Sequence, residues 1–435
     1  MSFPMYPVYK NSGVEWLGSV PEHWAIFSLK RSVDGCTNGL WGDEPDGEND
    51  LAVIRVADFD RATCRVGLDK LTYRSIKQKE RASRLLQSGD LLIEKSGGGE
   101  KTLVGCVVLF EHDFEAITSN FVARMRPLHE FDSGFLCYSF DSLYQGKVNF
   151  PAIKQTTGIQ NLDSESYLQE RFCFPSLPEQ TQIARFLDHE TARIDALIEE
   201  QQRLIELLKE KRRGIVLSAL SDTSLPLVRI GHAVDVISRP VKQREDESYT
   251  PIGLFNRDRG LFHKEPREMQ DMGDSDFFWI KSGDLIISGQ FAWEGAVAMA
   301  GESEEGLVVS HRYPVLRGKH GVANTEYLYA ILTTKHGDFL LNESSRGAAG
   351  RNRPLNLAAL LKEKIRIPSK EIQEQVSNLV QNEAKVLTEC RQQISLLQER
   401  RSALISAAVT GKIDVRGWQP AAHSQAPESA VAEAH

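Results

Sequence analysis

The sequence predicts an α+β fold: two mixed α/β domains separated by two long antiparallel coiled-coil helices, the whole arranged as an internal pseudo-two-fold repeat. Three observations predict it. Segments recur about 190 residues apart, short β-branched runs bounded by Gly, Asp and Pro precede each recurrence, and each ends in a stretch with apolar residues on steps of three and four. "QSGDLLIEK", Gln87 to Lys95, returns 194 positions later as "KSGDLIISG", Lys281 to Gly289. "FPSLPEQTQIARFL", Phe174 to Leu187, returns after 193 as "IPSKEIQEQVSNLV", Ile367 to Val380, and "LLKEKRRGIVLSALS", Leu207 to Ser221, after 189 as "LLQERRSALISAAVT", Leu396 to Thr410. These boundaries place a mixed domain over residues 1–177, a central long helix over 178–221, a second mixed domain over 222–369, a distal long helix over 370–413 and a C-terminal segment over 414–435.

In the first domain "DLAVIRVADF" and "GCVVLFEH" read as short strands. Between them lies "LLIEKSGGGEKTLVGCVVLF", Leu91 to Phe110, which superficially matches a phosphate-binding loop. A P-loop needs glycine immediately before its lysine, so that backbone amides can fold around phosphate. Here that position is Glu100, and the following "LVGCVVLF" reads as strand, not helix. The stretch is therefore expected to be a glycine hairpin between two strands. In the second domain "SYTPIGLFN", "GDLIISG" and "GLVVSHRYPVL" read as strands. The domains differ after the repeated strand, where "EKSGGGEKT" (Glu94 to Thr102) stands against "SGQFAWEG" (Ser288 to Gly295). A shared scaffold carrying two different surfaces is expected.

For the first long helix the apolar stripe is read through Leu187, Ile194, Leu197, Leu204, Leu208 and Ile215, with Glu190, Gln201 and Lys211 also on the seam. For the second it is Val380, Leu387, Cys390, Ile394, Leu397 and Leu404. The offsets fall from 193 to 189 along these helices, so the first carries four residues more than the second between about Ile183 and Leu207. The last residues, Gln419 to His435, lack an apolar period and are expected to be disordered.

Composition limits the function classes. The chain has 435 residues, 41% hydrophobic and 26% charged, enough for a large core split into two to four domains. No apolar run approaches the roughly 18 to 20 residues that span a bilayer, and the start lacks a secretory apolar core, so the cytoplasm is expected. Six cysteines without a C-x-x-C pair, and histidines without helical ligand spacing, indicate neither a disulfide framework nor a metal site. The net charge of −8 would repel a polyanion, so any nucleic-acid role must rest on local clusters. Two stand out: Lys70 to Arg84, with six Lys or Arg against Glu80, and Ser344 to Arg366, with six against Glu363.

Three stretches carry a family resemblance. "YKNSGVEWLGSVPEHW" (Tyr9 to Trp24), "FPSLPEQTQIARFLDHETARIDALI" (Phe174 to Ile198) and "LLQERRSALISAAVTGKIDVRGW" (Leu396 to Trp418) resemble, in order, the shared regions of the specificity subunit of type I restriction-modification enzymes. The resemblance implies two target-recognition domains, each reading half of a bipartite site in double-stranded DNA. It also implies two methyltransferase (modification) subunits docked on the helices, and restriction (nuclease and translocase) subunits joining that core. S-adenosylmethionine, ATP and Mg are then expected on the partner subunits, with no cofactor on this chain.

Arg or Lys reads guanine, and Asn or Gln reads adenine, in the major groove; glycine-turn amides and hydroxyls grip phosphates. On that chemistry the candidate DNA contacts of the first domain are Lys95, Ser96, Gly97, Gly98, Lys101 and Thr102, with Lys154, Gln155, Thr156 and Asn161 behind them. Those of the second are Gln290, Trp293, His311, Arg312, Arg346, Arg351, Asn352 and Arg353. No catalytic residue is expected: the chain has no N-P-P-[FY] loop for a flipped base and no complete P-loop, and its E-x-K at Glu383 and Lys385 lacks an upstream Pro-Asp. The alternatives are a specificity subunit of a methylation-only complex, or a coiled-coil structural adaptor that reads no sequence.

Overall fold

The repeated SGD triplet forms the same turn twice. Gly89 and Gly283 sit at φ +96° and +83°, in the left-handed region that glycine enters without a Cβ penalty. The next residue, Asp90 or Asp284, is buried at 1% or 0% exposure. Each carboxylate accepts the amide three residues back, Gln87 N or Lys281 N, at 2.8 Å. Each also holds an arginine from beyond its own strand. Arg126 donates to both Asp90 oxygens at 2.7 and 2.8 Å. Arg317 donates to Asp284, and Arg239 adds a second guanidinium at 2.6 Å. A buried carboxylate is costly unless paired and hydrogen-bonded, and this one is both.

The computed structural model describes residues 3–98, 102–156, 158–242, 248–257, 259–268, 271, 275–345 and 353–420. The chain divides into two units: Met1–Ile198 with Ser395–His435, and Glu199–Ile394. In the first, a six-stranded sheet runs in the order Thr37–Asn38, Val122–Met125, Leu91–Glu94, Val107–Leu109, Arg65–Val66, Phe59–Asp60. Leu91–Glu94 and Val107–Leu109 pair antiparallel, with Ile93 opposite Val107, so the glycine stretch is a hairpin loop. Helix Ser133–Gln145 lies in the same core, capped at its start by Asp132, which accepts from Phe135 N at 2.9 Å. Trp24, fully buried, joins this core together with Leu187, Ile405, Ala408 and Val415.

The second unit carries a four-stranded sheet in the order Val234–Ile237, Val315–Gly318, Leu285–Ile287, Val297–Met299. Helices Thr325–Leu332 and Lys335–Glu343 accompany it, burying Tyr327, Ile331 and Leu341.

The long helices span Leu177–Ser221, 45 residues, and Lys370–Val409, 40 residues, a surplus in the sense the offsets predict. Each starts just after a serine whose carbonyl accepts the glutamine amide four residues on, Gln180 N at 2.9 Å and Gln373 N at 3.1 Å. These glutamines do the same work. Gln180 accepts from Asp132 N at 3.0 Å and donates to Pro175 O; Gln373 accepts from Asn324 N at 2.8 Å and donates to Pro368 O. Asp132 and Asn324 are both helix N-cap positions, so each long helix is tied to the head of a domain helix.

The stripe on the first helix needs correction. Leu187 and Ile194 are buried, but Leu197 and Leu204 are 45% and 40% exposed. One continuous track of buried and half-buried positions runs through Leu187, Thr191, Ile194, Ile198, Gln201, Ile205, Leu208, Arg212, Ile215 and Ala219, in alternating steps of four and three. Leu197–Ile198 and Leu204–Ile205 offer two parallel apolar tracks about 100° apart, and only one can face inward. Polar Thr191 and Arg212 hide the true track in the sequence, and Lys211 is exposed beside it. On the second helix Val380, Leu387, Cys390, Ile394, Leu397 and Leu404 are all buried or half-buried.

In the first unit Arg401 Nε meets Asp195 Oδ1 at 3.1 Å. In the second unit Arg212 meets Glu383 at 3.1 Å with both side chains buried, and the guanidinium lies 5.1 Å from the centre of the Tyr329 ring. Glu383, the glutamate of the E-x-K, is held in this ion pair. All six cysteines are free thiols, and among the described residues no group of three or more His, Cys, Asp or Glu could hold a metal. No helix among the described residues is long and apolar enough to cross a membrane. The expected tail falls outside the described residues except for Gln419 and Pro420.

Candidate nucleic-acid interface

In the first unit one small sheet gathers the polar residues singled out from the sequence. Strand Ser96–Gly97 pairs with Ile159–Leu162, which pairs with Ile153–Thr156. The register aligns Ser96, Asn161 and Lys154 in one row across the three strands, and Gly97, Gln160 and Gln155 in the next. Directly opposed residues share a face of the sheet. Ser96 Oγ donates to Asn161 Oδ1 at 2.6 Å, while Lys154 Nζ reaches Asp163 at 2.8 Å. Lys95 Nζ reaches Asn38 Oδ1 at 2.8 Å, and Gly98 and Thr102 are exposed. Lys101 lies outside the described residues, and for Thr156 only the backbone is described.

The row has an apolar border that the sequence reading missed. Phe121 is 47% exposed, and its carbonyl accepts the amides of Lys95 and Ser96 at 2.8 and 3.3 Å. Ile159 is exposed on the neighbouring hairpin, and Phe150 on the turn that precedes it. A lone phenylalanine carries no periodic signal, and only the tertiary pairing puts Phe121 beside the loop. The basic run Lys70 to Arg84 divides. Arg74 pairs with Glu44 and covers Trp41 at 4.6 Å, whereas Arg84 Nε reaches Asn38 O at 3.2 Å, on the residue that also holds Lys95.

In the second unit the candidates surround the turn after strand Leu285–Ile287. Gly289 N donates to Arg312 O at 2.7 Å, and Gly289 O accepts from Leu355 N at 2.8 Å. A Cβ here would lie 2.4 Å from the Arg312 carbonyl, so this close approach requires glycine. Ser288 Oγ accepts from Phe291 N at 3.1 Å and holds the turn. The Arg353 guanidinium covers the Trp293 ring at 5.3 Å and donates to Asn342 and to Ser345 O. Trp293, Arg213, Arg257, Phe339 and Asn342 line a cleft of about 650 Å³. Gln290, His311 and Arg312 are exposed; Arg346, Arg351 and Asn352 lie outside the described residues.

Electrostatically the two surfaces are held in different ways. Behind the first, Glu94 is 1% exposed and meets Arg61 at 2.7 Å; burial pushes its carboxyl up while Arg61 pulls it back. Behind the second, burial would raise Asp284, but the hydrogen bonds from Arg239 and Arg317 outweigh it and the carboxyl lies below its ordinary value.

No family model matches the chain. It is 23% identical over 203 residues to a protein of Methanocaldococcus jannaschii named as the type I restriction enzyme MjaX specificity subunit, covering 46% of each. It is 24% identical over 159 residues to the type I restriction enzyme StySPI specificity subunit of Salmonella potsdam, covering 36% of this chain and 34% of that one. The matches thus span about half and about a third of these curated relatives. Among solved structures, the S subunit of a type I restriction-modification system from M. genitalium is 16% identical, covers 93% of this chain and 99% of its own, and superposes with a TM-score of 0.46. The HsdS subunit of Thermoanaerobacter tengcongensis is 14% identical, covers 90% and 98%, and gives 0.43. The chain is similar to specificity subunits of type I restriction enzymes, in agreement with the resemblance read from its sequence.

Proposed function

We propose that this chain is the DNA sequence-recognition subunit of a type I restriction-modification complex. It reads a bipartite target and directs adenine methylation and, with a nuclease and translocase subunit, cleavage. The observation that carries this reading is the recurrence of one frame, the SGD turn and the glutamine tie, beneath two unlike polar loops. A frame that holds its shape while its exposed loop changes suits the reading of two unrelated half-sites. An adaptor without sequence reading gives no reason for that divergence.

In this reading Ser96, Asn161, Lys154, Gln155 and the Gly97–Gly98 amides meet one half-site, and Gln290, Arg312, Trp293 and Arg353 the other. Base-edge contacts would come from Asn, Gln and Arg, with phosphate contacts from the glycine amides and lysines. The chain performs no chemistry of its own. Methyl and phosphoryl transfer, with S-adenosylmethionine, ATP and Mg, belong to two methyltransferase subunits and to restriction subunits. Leu204 and Leu207, 40% and 51% exposed on the long helix, suit a partner's apolar surface. In this reading the long helices set the spacing between the two half-sites.

The test is reconstitution. The purified chain should neither methylate nor cut DNA, and as an acidic protein it should bind duplex weakly with a shallow salt slope. Adding the two methyltransferase subunits should yield methylation at one bipartite motif. Methylation without any sequence preference, or tight specific binding by the lone chain at physiological salt, would count against the proposal.

A further inference from the structure

The hairpin loop after Glu94 is closed at its base by a polar chain that the reading surface itself does not use. Arg61 NH2 meets Glu94 Oε2 at 2.7 Å, at the residue where the loop leaves its strand. Arg61 NH1 donates to the Tyr144 hydroxyl at 3.2 Å, and that hydroxyl donates to Leu103 O at 2.8 Å, where the loop returns. One residue further, Val104 O accepts from Asn149 Nδ2 at 2.7 Å and Val104 N donates to Gln160 Oε1 at 3.2 Å. Both ends of the loop are therefore gripped by side chains from elsewhere in the unit. Glu94 is almost fully buried, and a buried carboxylate kept only for packing could be replaced by an apolar residue without loss. The matching position of the repeat is Ser288, whose hydroxyl holds only its own turn.

We infer that Arg61, Glu94 and Tyr144 are positioning residues for specificity: their clasp holds Glu94, where the strand runs on into Ser96–Gly97, and Leu103, and so sets which half-site the first unit accepts. The inference rests on the DNA-reading assignment above. Its geometry is local. Ser96 and Gly97 stand two and three residues from Glu94, and they pair with Asn161 and Gln160 on the neighbouring strand. The planar fork of Arg61 reaches a carboxylate and a phenol at once, which the single ammonium of lysine cannot do in the same geometry.

Tyr144→Phe removes the bonds to Leu103 and Arg61 with little change of volume, and is the variant least liable to unfold. In the full chain, hydrogen exchange at the amides between Lys95 and Val104 should accelerate at least tenfold, with Gly289 to Trp293 unchanged. In the complex with its methyltransferase subunits, discrimination at the first half of the methylated motif should fall roughly tenfold while the second half stays intact. Arg61→Met should act in the same direction and more strongly, and Arg61→Lys should restore part of the loss. Unchanged exchange in Tyr144→Phe would overturn the clasp. Faster exchange with an unaltered motif, or equal relaxation of both halves, would overturn its role in specificity. If instead the parental complex shows no bipartite motif, the reading beneath it fails, while the exchange result still stands or falls on its own.

Discussion

The two units share one frame and differ in the loops it carries. Beneath each loop an SGD turn buries an aspartate against arginine, one guanidinium for Asp90 and two for Asp284. Above it, the first loop is closed by a buried acid, an arginine and a tyrosine, and the second by a serine hydroxyl and a tryptophan under Arg353. The frame's partners lie on strands and turns that make each domain core, so they recur. The loops' partners are private to each unit, so one loop can change without disturbing the other.

The sharpest way to break this comparison is to exchange residues 25–170 for the matching domain of a relative. One half of the methylated motif should change completely and the other not at all, as read by methylation-sensitive sequencing. A motif altered in both halves would mean that the units do not read independently.

The next effects are on stability. Asp284→Asn leaves two guanidinium groups without their buried partner and should destabilise the second unit by about 3 to 5 kcal/mol in chemical denaturation. Asp90→Asn, which strands one arginine that keeps its bond to Leu85 O, should cost less. The pH dependence follows with a definite sign. The folded carboxyl of Asp284 lies below its ordinary 3.8, so its stabilisation is complete above that value and is lost as pH falls through the depressed one. Between about pH 5 and pH 2 the Asp284→Asn variant should therefore lose less stability than the parent. Parallel slopes would show that Asp284 does not contribute to acid sensitivity.

A smaller effect is expected from Arg353→Ala. If Arg353 makes a bidentate base contact, its loss should weaken only the second half-site, by about 1 to 3 kcal/mol. Equal loss at both halves would assign the arginine to assembly instead. The finest change tests the helix between the loops. Deleting Glu199 to Gln202 removes roughly 6 Å of rise and a net turn of about 40°, close to one base pair of B-DNA. Both half-sites should persist, with the spacer shortened by one base pair or at most two. An unchanged spacer with normal activity would remove the helices from the measurement of distance.

The sequence by itself determined the elements that periodicity and local turn chemistry specify. The two long helices with their unequal lengths, and the antiparallel strands on either side of the glycine stretch, followed from spacing and residue type. So did Ser96, Lys154 and Asn161 as neighbours in one sheet, because polar residues around glycine turns signal exposure. The choice between neighbouring apolar tracks was decided by tertiary structure: Leu197 and Ile198 are equivalent in hydropathy, and burial selects Ile198. The roles of Arg61, Glu94, Tyr144 and Phe121 were decided there too. Arg61 and Tyr144 stand 33 and 50 positions from Glu94 in the chain, and Phe121 stands 26 from Lys95. No period links them; only the tertiary packing of a helix and turns against the sheet brings their side chains and backbones to the same loop, and a hydrogen bond exists only once that folding has placed donor and acceptor within reach.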